Sequence, residues 1–142
     1  MDRIISEDDG KKIKSKLDKL SKPVKIIFFT QEIECQLCKS THQMMDELAA
    51  ISDKLSLEVY NFVINKDIAE AYGIDKIPAT VIEGEKDYGI RFYGIPAGYE
   101  FTTLIETIIM VSKGDSGLNE NIRTKVKIIN KPVHSQVLIT PT

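Results

Sequence analysis

Hydrophobic and polar positions follow two rhythms along this chain, and each rhythm predicts a type of element. Ile13, Leu17 and Leu20 recur at helical spacing among lysines. Ser6, with Asp9 three residues on, reads as the N-cap of that helix, with acidic residues in its first turn. Ser21-Lys22-Pro23 stops it. VKIIFFT, residues 24–30, is an apolar run without alternation, the pattern of a strand buried on both faces. From Cys35 to about Ser52 the spacing is helical again, with Leu37, Met44, Met45 and Leu48 as buried positions. LEVYNFVI, residues 57–64, reads as a second strand, and DIAEAYGI as a short helix ending near Gly73. ATVIEG and GIRFYGI read as two short strands joined by a turn around Glu85 to Asp87. Residues 98–111 read as a helix with Phe101, Leu104, Ile105 and Ile108 on one stripe.

The predicted order is a helix, then β-α-β-α-β-β-α, which makes the chain an α/β protein. Its first βαβ unit implies a parallel strand pair with a right-handed crossover. The last two strands are close enough to form a hairpin, so the sheet is mixed. The remaining residues repeat the beginning. Lys131-Pro132-Val133 stands 109 positions after Lys22-Pro23-Val24, and at the same offset Ile13 meets Ile122 and Leu17 meets Val126. The pattern predicts an internal duplication. Residues 1–115 form one unit, and residues 116–142 supply the helix and first strand of a second. That second copy stops at Thr140-Pro141-Thr142, before a C-x-x-C of its own. An unpaired apolar strand such as VLIT is an association hazard. It is expected to pair with a second copy of the chain, giving a homodimer, or to pack back on the first unit.

Bulk properties narrow the function classes. The 142 residues suit one domain with a core, and the net charge of −2 excludes a nucleic-acid footprint. The N-terminal MDRIISEDDG has no apolar region of a secretory signal. No apolar run reaches the roughly 18 residues of a membrane span. The expectation is a soluble, cytoplasmic protein, in a reducing compartment where two cysteines are not a structural staple.

Candidate chemistry sits in IECQLCKS, residues 33–40, which holds both cysteines of the chain. A strand, a turn and then C-x-x-C opening a helix is a redox context. Unpaired N–H groups and the helix dipole favour a thiolate there. Cys35, in the first turn, is expected to be the exposed nucleophile. Cys38, one turn further in, is expected to be the buried sulfur that resolves the mixed disulfide. Zinc is the competing reading. Cys35, Cys38 and His42 share one helix face, and His134 or a carboxylate supplies a fourth ligand. Against it, structural zinc usually takes two loop-borne pairs, and the chain has no second Cys pair. Glu32 is a weaker candidate, as a proton acceptor for Cys38. Lys76-Ile77-Pro78-Ala79-Thr80 brings a Pro into a strand, which a cis Ile77-Pro78 bond in a tight turn accommodates. Phe92, Tyr93 and Tyr99 flank Gly94-Ile95-Pro96 and are ambiguous between packing and a site.

These segments carry a resemblance. PVKIIFFT before ECQLC, then DKIPAT, then GIRFYGIPAGYEF resemble, in order, the N-terminal unit of the protein disulfide oxidoreductases. These are two-unit, glutaredoxin-like proteins known mainly from hyperthermophiles. The resemblance covers almost the whole chain and implies a thioredoxin/glutaredoxin-like fold. Its implied activity is thiol–disulfide exchange with protein or peptide substrates through Cys35 and Cys38, with no bound cofactor and no metal. A redox partner reductase is a possible electron source. The cis-Pro turn would face the C-x-x-C. Pro78 would shape a peptide groove and keep metal from the thiols, and the backbone of Ile77 would pair with substrate. A substrate-holding unit of little turnover is the non-enzymatic alternative. The dipeptide Gln36-Leu37 lacks the Pro and His of well-known variants, and Glu34 stands where thioredoxins carry Trp.

Overall fold

The computed structural model describes residues 2–140. Its elements are α1 (Glu7–Leu17), β1 (Val24–Thr30), α2 (Cys38–Ala49), β2 (Leu55–Asn61), α3 (Lys66–Ala71), β3 (Ala79–Glu83), β4 (Asp87–Tyr93), α4 (Tyr99–Lys113) and α5 (Glu120–Lys127). The four strands form one mixed sheet in the order β2-β1-β3-β4. β1 and β2 are parallel, while β1 with β3 and β3 with β4 are antiparallel. Both the parallel crossover and the closing hairpin match the sequence reading.

The unalternated run of β1 follows from its central position. Ile26 and Phe28 enter the larger core, shared with α1, α2 and α4, while Ile27 and Phe29 enter the smaller one around α3. Each such side chain, fully buried, contributes about 1.5–3 kcal/mol. Ser6 caps α1 as expected, its Oγ accepting from the Asp9 amide at 3.1 Å. The α1 positions Ile13 and Leu17 are buried, and Leu20 is buried just past the helix end.

Several boundaries differ from expectation, each for a local reason. α2 begins at Cys38 rather than Cys35, so Cys35 lies in the preceding loop. Leu37 is its N-cap and is 43% exposed rather than buried, whereas Met44, Met45 and Leu48 are core. β2 ends at Asn61. The Asn61 Oδ1 accepts from the amides of Val63 and Ile64, and this turn pulls those residues out of the strand. Asp87 and Arg91 pair through both guanidinium NH2 groups at 2.8 and 2.6 Å. Arg91 Nε also donates to the Tyr72 carbonyl.

The C-terminal segment forms its helix but not its strand. Asn119 caps α5, its Oδ1 accepting from the Ile122 amide at 3.0 Å. Residues 131–140 take no strand and lie exposed. The stop at Pro141 and Thr142 lies outside the described residues.

Candidate active site

Strand register gathers four connections at one edge of the sheet. Thr30 pairs with Asn61, Phe29 with Ala79, and Ala79 with Tyr93. The ends of β1, β2 and β4 and the start of β3 therefore share that edge. The Phe62 amide donates to the Thr30 carbonyl at 2.8 Å and holds the β2–α3 loop against the C-x-x-C loop. The Gly94 amide donates to the Pro78 carbonyl at 2.9 Å and holds the β4–α4 loop against the Pro turn.

Cys35 and Cys38 are joined in a disulfide across a Cα–Cα distance of 5.4 Å. Their environments differ. Cys35 is half-buried in the loop, and Cys38 is 2% exposed as the first residue of α2. The Cys38 amide donates to the Cys35 carbonyl at 3.4 Å, a turn that draws the two residues together. Leu37 caps α2 with no side-chain acceptor, and the first turn holds no acid. A helix start without a capping side chain or an acid favours a thiolate at its first residues. Glu34, immediately before Cys35, adopts φ +58°, a left-handed conformation uncommon outside Gly. The Gln31 side chain donates to the Ile33 carbonyl within the same loop.

The Ile77–Pro78 bond is cis, as the sequence suggested, and Pro78 is buried beside β4. Ile77 is half-buried just ahead of β3. Its backbone enters no turn, loop or cap hydrogen bond among the described residues. Around this edge Ile33, Leu37, Val63, Ile64 and Tyr99 expose apolar surface, while Phe92 is core. Burial raises the Glu100 carboxyl above its ordinary range in the first turn of α4. Val63 and Ile64 escaped the sequence reading because their apolar character was assigned to a strand. Asn61, a turn former, was the available signal.

The zinc ligand set is not assembled. His42 is a half-buried helix residue that packs against the Phe28 ring at 5.5 Å and reaches Asp46 at 3.6 Å. His134 lies in the exposed tail beside Gln136. Among the described residues no three His, Cys, Asp or Glu side chains gather into a metal cluster. Glu32 is exposed in its loop.

A thioredoxin-domain family model matches residues 23–106, more than half of the chain. The chain belongs to the thioredoxin-domain family. A protein disulfide oxidoreductase from Aeropyrum pernix is 26% identical, with a TM-score of 0.78 over 89% of this chain and 55% of that one. The NTD_N/C domain of the alkylhydroperoxide reductase AhpF from Enterococcus faecalis shares the fold at 23% identity, with a TM-score of 0.78. It is matched over 89% of this chain and 61% of that domain. Among curated proteins, an NADH dehydrogenase of Bacillus subtilis is 30% identical over 70% of this chain and 17% of its own length. One of the alkyl hydroperoxide reductase proteins of Pseudomonas aeruginosa is 24% identical over 81% of this chain and 20% of its own length. The chain thus spans a fifth or less of these curated relatives. Family, fold and disulfide together place this thioredoxin/glutaredoxin-like unit among the thiol–disulfide oxidoreductases. No helix among the described residues is long and apolar enough to cross a membrane.

Proposed function

We propose that this unit exchanges disulfides with protein thiols through Cys35 and Cys38. The observation that carries the reading is the unequal burial of the two sulfurs at the uncapped start of α2, on the edge shared with the cis-Pro turn. In the reducing direction Cys35 attacks a substrate disulfide. A bond forms between Cys35 and one substrate sulfur, and the other substrate sulfur leaves as a thiolate. Cys38 then attacks Cys35, the Cys35–Cys38 bond forms, and the second substrate thiol is released with both electrons. Ile77 offers its backbone to an extended substrate segment, and Pro78 shapes the groove that receives it. Such exchange needs no bound cofactor and suits a cytoplasmic setting.

The names of the curated relatives favour a refinement. An NADH dehydrogenase and a hydroperoxide reductase protein both include a segment like this one. The unit would then relay reducing equivalents from a nicotinamide-dependent partner to a disulfide substrate. Residues 116–142 read as the start of a second unit, supported by the apolar positions Ile13 and Leu17 of α1 that recur as Ile122 and Val126 of α5.

The deciding experiment equilibrates the protein in glutathione buffers of set ratio, with and without chelator, followed by alkylation and mass measurement. A two-electron transition between about −150 and −300 mV, unchanged by chelator, is expected. Thiols that react only after chelation would give zinc the site. A titrating pair that forms no mixed disulfide with a protein substrate in a Cys38→Ser variant would leave a holding unit.

A further inference from the structure

One buried polar group in the unit has no assigned use. The Thr80 hydroxyl is fully buried, and no protein donor or acceptor lies within hydrogen-bonding reach of it. It is the sole such side-chain atom among the described residues. Leaving a buried hydroxyl unpaired costs about 1–3 kcal/mol, so the position calls for a partner.

Its location names one. Thr80 is the second residue of β3, two positions after Pro78, and shares a strand face with Ile82 of the larger core. In register it stands between Phe28 of β1 and Phe92 of β4, and both belong to the core beneath α1, α2 and α4. The Phe28 ring in turn meets His42, one turn along the same α2 face from Cys38. The hydroxyl therefore lies on the sheet face that α2 and α4 cover, and Cys38 is buried at the start of α2 on that side.

We propose that Thr80 is the hydrogen-bond donor that receives the Cys38 sulfur when the disulfide opens. The inference rests on the exchange reading above. When a thiolate attacks Cys35, the new bond forms to Cys35, the Cys35–Cys38 bond breaks, and the electron pair leaves on Cys38. A disulfide sulfur is a weak acceptor, and the hydroxyl has no partner while the bond is intact. A thiolate is a charged acceptor in an almost dry position, where an unpaired anion is costly. Release of the bond frees the Cys38 side chain to turn toward the hydroxyl. Thr80 then stabilises the reduced state alone and makes the pair easier to reduce.

Thr80→Val keeps the shape and removes the hydroxyl, and Thr80→Ser keeps the hydroxyl. Both are titrated beside the parent in glutathione buffers, and the Cys38 thiol is titrated in a Cys35→Ser background. Thr80→Val should lower the reduction equilibrium constant about tenfold, a shift of about 30 mV to more negative potential for a two-electron couple. It should raise the Cys38 thiol pKa and leave the oxidised form no easier to unfold. Thr80→Ser should stay with the parent. A Thr80→Val potential equal to the parent's, or a Thr80→Ser that behaves like the Val variant, would overturn the inference. So would an oxidised Thr80→Val that unfolds more easily, since the hydroxyl would then be satisfied while the disulfide is intact. A parent that shows no two-electron transition would sink the exchange reading itself. A parent that titrates normally with an unchanged Thr80→Val would sink the Thr80 role alone.

Discussion

Two stretches of this chain carry one pattern and meet opposite fates. At an offset of 109, Ile13, Leu17, Leu20 and Val24 face Ile122, Val126, Ile129 and Val133. The first four are buried, and the second four are all exposed, with Leu17 at 0% and Val126 at 48%. Both stretches still form their helix. Ser6 and Asn119 each satisfy an N-terminal amide, both first turns hold an acid, and both last turns hold lysines. Only the first stretch forms its strand. Val24–Thr30 has β2 on one side and β3 on the other, whereas residues 133–139 have no ladder partner among the described residues. A helix closes its own hydrogen bonds. A strand must borrow them from a neighbour.

The largest test of this contrast concerns chemistry. Cys35→Ser should reduce turnover of a protein disulfide to background, while removing residues 116–142 should leave turnover intact. Activity lost with the tail would break the division between a working unit and an idle one. Stability comes next. Leu17→Ala should cost about 2–5 kcal/mol in urea unfolding, as a large-to-small core change. Val126→Ala, its match, should change the same transition by less than about 0.5 kcal/mol. Equal losses would mean that the tail is covered in solution, and light scattering would then reveal the second copy. The caps give a smaller effect. Ser6→Ala should cost about 1 kcal/mol of unit stability. Asn119→Ala should lower helical circular dichroism without moving the unit's midpoint.

The smallest effect is in acid. Arg91 holds the Asp87 carboxyl below its ordinary range, through their hydrogen bonds first. A carboxyl whose folded-state pKa is depressed contributes stability above its unfolded value, about 3.9, and loses it as pH falls through the folded value. Unfolding midpoints should therefore drop below about pH 4, and Asp87→Asn should flatten that fall. Asp115 is also held low, by the Gly117 amide and by Arg123, but it is exposed beside the tail. Asp115→Asn should leave the acid profile of the unit unchanged.

The elements were legible in the residues wherever the signal was local. Ser6 announced α1, the apolar run VKIIFFT announced β1 residue for residue, and KIPAT announced a cis bond. Both cysteines of the site were visible as a spaced pair at a strand-to-helix junction. Boundaries failed where apolar character had two explanations. Leu37 looked like core and is the α2 cap, while Val63 and Ile64 looked like strand and lie exposed in a loop.

The sequence by itself determined the order of elements and the placing of the C-x-x-C before α2, because capping, periodicity and turn chemistry act over a few residues. Tertiary structure decided the rest. The sheet register brought loops from residues 31–37, 62–65, 74–78 and 94–98 to one edge. It buried Cys38 more than Cys35, left Thr80 unpaired in the core, and gave one apolar run two neighbours while the matching run has none among the described residues. Those outcomes depend on which distant backbones share hydrogen bonds and on how much room α2 leaves above the sheet, and no short stretch of residues encodes either.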